Sequence, residues 1–222
     1  MPKSKTITSK STIMFTDIVG YSQMVANDEK GALELLDEHN NIIFPIINNH
    51  DGEIIKLIGD AIFARYLSSK NSVLAAIEIQ NKLKDRNTIS KNNEAIKIRV
   101  GLHTGEVIEK DDDLFGHDVN LCSRIESVTQ SGSITISEEI FQSVINIDGL
   151  FHRKIGHVKL KNIPEPKILY KTYLDLLDYN KETDEALYNS FIDRGVEVVD
   201  LNRYKTEQIV SLGVLYFTNL GK

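Results

Sequence analysis

The order of apolar patterns along the chain limits its fold more than any other feature of the sequence. Apolar runs with strand character lie at residues 12–16, at 53–66 and from residue 96 onwards, and apolar residues at helical spacing lie at 28–49 and 71–86. A Gly-Asp pair interrupts the run at 53–66, so we expect two strands of a β-hairpin there. The resulting β-α-β-β-α-β order predicts an α+β fold with a ferredoxin-like core and additional β and α elements.

The second half of the chain continues the alternation of strands and helices. From residue 96 the pattern predicts a strand, a break at Gly105 and a second strand, followed by a helix over 114–126. The remaining predicted elements are a strand at 133–136, a helix at 138–145, and strands at 151–161 and 168–173.

Three sections of different character divide the chain. Residues 1–11 are polar and are expected to form a flexible N-terminus, and residues 12–175 carry the pattern of one main domain. Residues 176–222 are expected to be a linker or accessory segment, with a fresh apolar strand at 212–217. A lone strand needs a sheet to pair with, which suggests that this segment starts a truncated C-terminal domain.

Charge and hydropathy exclude several classes of function. The chain has 26 Lys and Arg against 32 Asp and Glu, a net charge of −6, which gives nonspecific nucleic-acid binding no electrostatic support. No apolar run reaches the roughly 18 to 20 residues of a membrane span, and no stretch of signal-peptide length follows Met1. We therefore expect a cytoplasmic protein without membrane insertion. Cys122 is the single cysteine, which excludes an internal disulfide.

A carboxylate stands where the first predicted strand ends. Asp17 follows the apolar run, and Gly20 lets the backbone turn behind it, within the segment 15–22 (FTDIVGYS). A carboxylate at a strand end is placed to hold a hard cation, and the backbone N–H groups of the turn can meet an anion. Asp at such a junction is equally often a turn residue that accepts hydrogen bonds from local amides. These residues alone leave both interpretations open.

Other polar residues interrupt the apolar patterns at defined positions. Lys56 stands among Ile and Leu, so its ammonium must reach solvent or meet an acceptor, and Asp60 lies at the hairpin tip. Without partners elsewhere, the two are interpreted as an edge-strand charge and an ordinary turn residue. His103 is expected to be a hydrogen-bonded structural histidine. Asn120 and Arg124 are four residues apart and share one face of the predicted helix, as surface pairs commonly do.

Six motifs occur in an order that resembles the class III nucleotidyl cyclases, and the resemblance extends over about residues 12–175. They are FTDIVGYS at 15–22, KLIGD at 56–60, RVGLHTG at 99–105, DLFGHDVN at 113–120, Arg124, and LKN at 160–162. Tyr21 stands where many members of this family have Phe, and Asn162 where many have Gly. Neither departure touches a catalytic group. The resemblance implies the α+β catalytic fold of that family and the chemistry of a nucleotide cyclase.

The resemblance implies a site for two divalent metal ions, Mg²⁺ or Mn²⁺. Asp17 and Asp60, with the carbonyl of Ile18, look like their ligands. In this two-ion arrangement the ribose 3′-oxygen attacks the α-phosphorus and pyrophosphate leaves. Backbone groups of the turn that follows are expected to bind phosphate, and they belong to Val19, Gly20, Tyr21 and Ser22.

Four further positions match residues that bind the substrate or the transition state in the family. Arg124 resembles the residue that neutralises charge on the α-phosphoryl group, and Asn120 the one that orients the ribose. Arg99 and Lys161 match positions that bind the β- and γ-phosphates, through a guanidinium fork and an ammonium charge respectively.

The base-selecting pair implied by the resemblance is Lys56 and Asp113. Adenine presents an acceptor at N1 and a donor at N6, which a lysine donor and an aspartate acceptor complement, whereas guanine reverses that pattern. Buried polar groups left unpaired by the wrong base can cost factors of about 10⁴ to 10⁵, so ATP is favoured over GTP. Asp113 would also supply the acceptor that Lys56 needs.

Family members place each active site across a head-to-tail dimer interface, and this chain carries the residues of both halves. The resemblance therefore implies a homodimeric adenylate cyclase with two equivalent sites. Two alternatives stay open at this point: a cyclase for GTP or a pyrimidine nucleotide, and a catalytically silent nucleotide-binding regulatory module. A diguanylate cyclase is disfavoured, because the hairpin tip at 58–61 reads IGDA rather than a Gly-Gly-Asp/Glu-Glu-Phe motif.

Overall fold

Helices and strands occur close to where the apolar patterns predict them. The structure, a computed structural model, describes residues 7–89 and 95–199. Its strands are β1 (Ile7–Ile18), β2 (Gly52–Ile58), β3 (Ala61–Tyr66), β4 (Ile98–Lys110), β5 (Asp113–Phe115), β6 (Ile134–Ser137), β7 (Phe151–Val158), β8 (Lys167–Tyr173) and β9 (Val198–Val199). Its helices are α1 (Tyr21–Asn27), α2 (Glu29–Asn49), α3 (Ser69–Ile89), α4 (His117–Val128), α5 (Glu138–Val144), α6 (Leu176–Lys181) and α7 (Asp184–Ile192).

The predicted ferredoxin-like core is confirmed by the sheet. The strands lie in the order β2-β3-β1-β4-β6-β8-β7-β9, and β5 pairs with β4. The first four strands pair antiparallel, and α2 and α3 make the two connections that a β-α-β-β-α-β unit requires. Strand β6 pairs parallel with β4 and extends the sheet towards β8, β7 and β9.

Alternate residues of β1 contribute to cores on opposite faces of the sheet. Met14 and Ile18 are buried in the cluster that includes residues of α2 and α3. Ile13 and Phe15 are buried in a different cluster, which includes Cys122 of α4. Because side chains alternate along a strand, Asp17 lies on the same face as Ile13 and Phe15. The sheet therefore presents the candidate metal ligand on the side that carries α4.

Local signals explain where the second helix starts and how the hairpin turns. Asp28 is the N-cap of α2 and accepts a hydrogen bond from the backbone N–H of Gly31 at 3.1 Å. Pro45 lies inside α2 rather than at its end. Gly59 adopts a φ of 65° between β2 and β3, a left-handed conformation that glycine tolerates best, and this turn places Asp60 at the hairpin tip as predicted.

Three predictions at the level of elements were wrong. Residues 7–11 belong to β1, although they were expected to be part of a flexible N-terminus. Leu114 belongs to β5, so the helix predicted from that residue starts only at His117. Strand β4 runs through Gly105 without a break. A Cβ built on Gly105 would lie 2.0 Å from Oδ2 of Asp118, so this glycine is required by close packing.

Beyond β8 the chain packs onto the main domain. Helices α6 and α7 follow β8, and β9 pairs antiparallel with β7, so residues 176–199 extend the sheet and its core. The apolar strand predicted at 212–217 lies outside the described residues, as does the polar loop at 90–93. Within the described ranges, no helix combines the length and apolar character that crossing a membrane requires.

Candidate active site

An arginine and an aspartate face each other at the end of β1. The register of β1 and β4 places Asp17 directly opposite Arg99, and the Nη2 group of Arg99 donates to Oδ2 of Asp17. Both side chains are partly buried, with 25% of Asp17 and 31% of Arg99 exposed, so the pair is shielded from bulk solvent on one side. The structure thus joins a predicted metal ligand and a predicted phosphate-binding residue in one ion pair.

Asp60 brings a second carboxylate to the same point. Its Oδ2 accepts a hydrogen bond from the backbone N–H of Ile18 at 2.9 Å, which ties the hairpin tip to the end of β1. Burial, together with the negative charge of Asp17, raises the pKa of Asp60. Two carboxylates that repel each other in this way suit a bound cation, whose charge relieves the repulsion.

The donor set therefore fits the predicted divalent metal ions. Asp17 and Asp60 supply hard carboxylate oxygens of the kind that Mg²⁺ and Mn²⁺ prefer, and Arg99 neutralises Asp17 where a cation would otherwise do so. Within residues 7–89 and 95–199, no group of three or more His, Cys, Asp or Glu side chains is arranged to hold a metal ion. A site built here thus needs ligands besides side chains, such as the backbone carbonyl of Ile18 and phosphate oxygens.

A third carboxylate at this site, Glu126, escaped the sequence analysis. Its Oε1 lies 2.9 Å from Nε of Arg99, and only 13% of its side chain is exposed. Burial raises the pKa of Glu126 to about 7; Arg99 opposes this rise, and the charges of Asp17 and Asp60 add to it. No pattern in the sequence indicates this position. The contact depends on the close approach of α4 to β4, where a Cβ on Gly101 would lie 2.4 Å from the backbone nitrogen of Glu126.

The turn after Asp17 offers fewer free backbone groups than the sequence suggests. The N–H of Val19 already donates to the carbonyl of Lys97 at 2.8 Å. Gly20 has a φ of 81° and precedes α1, which begins at Tyr21 and Ser22. Backbone N–H groups in the first turn of a helix have no acceptor within the helix. The predicted phosphate-binding role therefore rests on residues 20–22 more than on Val19.

Lys56 and Asp113 come together from β2 and β5. The ammonium of Lys56 donates to Oδ2 of Asp113, and Oδ1 of Asp113 accepts from its neighbour's N–H, that of Leu114, at 2.8 Å. The ammonium also lies 5.8 Å from the ring centroids of Phe63 and Phe115, within reach of a cation–π interaction. Lys56 was expected to reach solvent or to meet an acceptor, and it does both: its side chain is 40% exposed and its ammonium contacts Asp113, the residue with which the resemblance pairs it.

Three predicted site residues are not joined to these clusters. Asn120 and Lys161 are exposed and Arg124 is half-buried. In the part of the chain that the structure describes, their side chains make no hydrogen bond and no ion pair. Within the described residues, one copy of the chain therefore leaves two cations and an amide unpaired, while it pairs Asp17 with Arg99 and Lys56 with Asp113.

His103 is the structural residue that the sequence predicts. It is 2% exposed, and its Nδ1 lies 2.8 Å from Oγ of Ser137. Its Nε2 is 3.4 Å from Oδ1 of Asp118, the residue that accepts from the N–H of Glu106 at 2.7 Å. A hydrogen bond with His103 lowers the pKa of Glu139 to about 2. His103 thus helps to anchor the start of α4 and the start of α5 on the sheet.

Comparison with known proteins identifies relatives of this fold and site. A family model described as the Adenylate and Guanylate cyclase catalytic domain matches residues 4–174. A Rhizobium meliloti protein that carries an adenylate cyclase name is 31% identical over 157 residues, which cover 70% of this chain and 27% of that protein. Guanylate cyclase 2G of Rattus norvegicus is 28% identical over 180 residues, covering 74% of this chain and 16% of that protein.

A solved structure extends the likeness to three dimensions. The crystal structure of an Adenylate/Guanylate Cyclase/Hydrolase from Silicibacter pomeroyi is similar with a TM-score of 0.70 and 27% identity. The similarity covers 75% of this chain and 98% of that one. The chain spans less than a third of the length of the two curated relatives named above.

Proposed function

The chain belongs to the family of adenylate and guanylate cyclase catalytic domains, and we propose that it converts ATP to 3′,5′-cyclic AMP and pyrophosphate at sites shared between two copies. The observation that carries the choice of ATP is the contact between Lys56 and Asp113. A lysine donor beside an aspartate acceptor matches N1 and the N6 amino group of adenine, whereas guanine offers N1–H and O6. Adenine would enter between the two side chains and replace their contact with one hydrogen bond to each.

The carboxylates at the end of β1 give the reaction its metal site. Asp17 and Asp60 would hold Mg²⁺ or Mn²⁺, which lowers the pKa of the ribose 3′-hydroxyl and neutralises phosphate charge. Arg99 exchanges its contact with Asp17 for phosphate oxygens, to which its planar fork can donate two hydrogen bonds. Glu126 keeps the guanidinium oriented during this exchange.

The unpaired residues support a shared site. The transition state of the proposed reaction needs side chains that neutralise and orient the triphosphate, and these would be Arg124, Asn120 and Lys161. Within the described ranges of one copy, these side chains make no hydrogen bond and no ion pair. A second copy that brings its own Asp17, Asp60 and Arg99 against these residues completes two equivalent sites by symmetry. We therefore propose a homodimer whose separated subunits are inactive.

A substrate panel tests the reaction. Purified protein is incubated with Mg²⁺ or Mn²⁺ and each of the four ribonucleoside triphosphates, and products are separated by chromatography. We expect cyclic AMP and pyrophosphate from ATP, with every other nucleotide at least about a hundredfold slower. Another cyclic nucleotide as the main product would refute the choice of ATP. No product under any condition would favour a silent nucleotide-binding module.

A mixing experiment tests the shared site. Asp17→Ala and Asn120→Ala are each expected to be inactive, and an equal mixture is expected to regain about a quarter of the wild-type activity. Random pairing makes half of the dimers mixed, and each mixed dimer has one intact site. The matched control mixes Asp17→Ala with Asp60→Ala, which lie on the same half and should not rescue each other. Equal activity of the two mixtures would contradict the shared-site arrangement.

One observation favours a second candidate, a guanylate cyclase. Relatives named as guanylate cyclases, such as guanylate cyclase 2G of Rattus norvegicus, match the same part of the chain at 28% identity. The pair of Lys56 and Asp113 argues against this candidate. The Lys56 ammonium, a hydrogen-bond donor, would face the N1–H group of guanine, which is also a donor. The substrate panel separates the two, since a guanylate cyclase would form cyclic GTP under the same conditions.

A further inference from the structure

Helix α7 lies beyond residue 174, where the family match ends, yet it shares a buried cluster with α4, the helix that carries Asn120 and Arg124. Leu187 and Phe191 of α7 are 0% and 1% exposed. They belong to one buried cluster with Leu121 and Ile125 of α4. Leu121 and Ile125 directly follow Asn120 and Arg124, so the two pairs lie about 100° apart around α4. The cluster that contains Leu187 and Phe191 therefore supports the face of α4 next to the one that carries Asn120 and Arg124.

Four hydrogen bonds from Arg194, Gln130 and Lys171 meet at residues 128–130, the end of α4 and the two residues that follow it. The Nη1 group of Arg194 donates to the carbonyl of Val128 at 3.0 Å and to that of Thr129 at 3.4 Å. The Nε2 group of Gln130 donates to Oγ of Ser190. The Oε1 of Gln130 accepts from Lys171 at 3.0 Å, and the same ammonium donates to Glu182 at 2.9 Å.

Hydrogen bonds of this kind stabilise a helix most at its end. The last carbonyl groups of an α-helix have no partner within the helix and carry partial negative charge. An arginine that donates to them satisfies these groups and holds the last turn against its neighbour. Arg194 does this for α4 while Ser190 O accepts from its Nε at 3.0 Å, so the same guanidinium links the ends of α4 and α7.

We propose that α7 and Arg194 form a positioning element for α4, which sets the orientation of Asn120 and Arg124 in the active site. This inference rests on the proposed cyclase function, because it assigns those two residues to catalysis. Arg194 touches no substrate atom and acts through α4. Arg194 makes no hydrogen bond to the proposed metal ligands, to Arg99 or to the base-binding pair. Burial and the positive charge of Arg99 lower the pKa of Arg194, so its charge also acts on Arg99. Arg194→Lys keeps that charge and therefore separates the charge effect from the hydrogen bonds to α4.

Because Arg194 is proposed to act through the catalytic residues of α4, its substitution should change kcat more than KM. Misplacement of a catalytic group by about 1 Å can cost about a hundredfold in rate, whereas groups that bind the ground state are unaffected. Arg194→Gln should therefore lower kcat about fivefold and change KM for ATP less than twofold. Arg194→Lys keeps a cation near the same carbonyl groups and should recover at least half of the lost activity.

The experiment uses the full chain with ATP and Mn²⁺, together with amide hydrogen exchange. The matched control is Arg86→Gln, which removes the contact of Arg86 with Glu38 between α3 and α2. These two helices contribute to a different buried cluster from the one that contains Leu121 and Ile125 of α4. In Arg194→Gln we expect faster exchange of the amides in the last turn of α4, and in Arg86→Gln no change there. Phe191→Leu provides a second variant, which shrinks the buried contact without removing it.

The outcomes separate this inference from the proposed function. Unchanged kcat in folded Arg194→Gln, or an equal loss of kcat in Arg86→Gln, would overturn the positioning role. If the wild-type protein makes no cyclic nucleotide, the cyclase proposal fails, but hydrogen exchange still tests the contact: unchanged protection of α4 in both Arg194→Gln and Phe191→Leu overturns the inference on its own.

Discussion

Arg99 lies between two carboxylates, and this arrangement decides what a nucleotide has to displace. Its Nη2 pairs with Asp17, and its Nε lies 2.9 Å from Glu126. If Asp17 binds a cation as proposed, Arg99 would lose one anionic partner and keep the other. Glu126 would then hold the guanidinium beside the site, where phosphate oxygens would replace the lost carboxylate.

The first residue-scale prediction concerns Glu126→Gln. This change keeps the shape of the side chain and removes a carboxylate that is charged above its pKa of about 7, so the two proteins are compared at about pH 8. We expect KM for ATP to rise about tenfold, equivalent to about 1.4 kcal/mol, because the proposed contact of Arg99 with phosphate would be made in the ground state as well as in the transition state. Steady-state kinetics with Mn²⁺ measures this, with Glu106→Gln, exposed on β4, as the matched control. Equal KM in the two variants would contradict the role of Glu126.

At the scale of elements, α4 approaches β4 closely because β4 carries glycine at two positions that face it. A Cβ at Gly101 would meet the backbone of Glu126, and one at Gly105 would meet the carboxylate of Asp118. The backbone of α4 cannot yield at the first position as a side chain could. These two glycines therefore set the distance between the helix that carries Arg124 and the strand that carries Arg99.

Gly101→Ala tests this close approach. The new Cβ would lie 2.4 Å from the backbone nitrogen of Glu126, so the helix must shift. We expect a loss of about 2 to 3 kcal/mol in the free energy of unfolding, measured by urea denaturation, because overpacking against backbone is poorly relieved. Glu106→Ala, exposed on the same strand, should stay within about 0.5 kcal/mol of wild type. A Gly101→Ala protein as stable as this control would show that α4 can move freely.

At the scale of the whole molecule, apolar side chains remain exposed next to the base-binding pair. Ile108 of β4 pairs directly with Phe115 of β5, and they are 40% and 47% exposed. Leu57, the neighbour of Lys56, is 48% exposed. Exposed apolar groups that lie beside functional residues commonly mark a protein contact. This strip is the surface on which we expect the second copy to pack.

Ile108→Asp tests that surface. A charge at this position would have to be desolvated in the dimer, so we expect the dissociation constant to rise at least tenfold, equivalent to about 1.4 kcal/mol. Sedimentation analysis measures the dissociation constant. As the protein is diluted, the specific activity of Ile108→Asp should start to fall at a higher protein concentration than that of the wild type. Leu67→Asp is the control, since Leu67 is 88% exposed and follows the opposite end of β3. Equal self-association of the two variants would refute this placement of the interface.

The stability of the whole fold at acid pH depends in part on the partly buried His152. Burial lowers the pKa of His152 to about 4, while its Nδ1 lies 2.9 Å from Oγ1 of Thr172. The unfolded state, with a histidine pKa near 6.5, binds a proton in a range where the folded state does not. Stability from this residue is therefore complete above about pH 6.5 and is lost as the pH falls towards 4.

The variant His152→Asn should remove this contribution. Between about pH 6.5 and 4.5 we expect the free energy of unfolding of the wild type to fall by about 1 to 2 kcal/mol and that of the variant to lack this fall. The value is modest because His152 is partly exposed and therefore partly screened by solvent. Urea denaturation at a series of pH values at fixed protein concentration measures the difference. His117→Asn, at an exposed position, serves as the control and should keep the wild-type slope. If the free energy of unfolding of His152→Asn depended on pH as it does in the wild type, the loss of stability in acid could not be assigned to His152.

The amino-acid sequence by itself determined the β-α-β-β-α-β order of the core and the hairpin with Asp60 at its tip. It also identified the pairing of Lys56 with Asp113, through a resemblance that names both residues. These features depend on periodicity, turn chemistry and motifs, which are local in the chain. Roles at Asn120, Arg124 and Lys161 stay predictions, because one copy of the chain brings no partner to them in the described ranges.

Only the tertiary structure decided which residues meet across the sheet and between helices. The register of β1 and β4 sets Asp17 against Arg99, and close packing at Gly101 brings Glu126 to the same guanidinium. Close packing also explains why Gly105 lies within a continuous strand, and burial of Phe191 against α4 explains why the predicted linker is part of the domain. These contacts join segments distant in the chain, so no local pattern in the sequence encodes them.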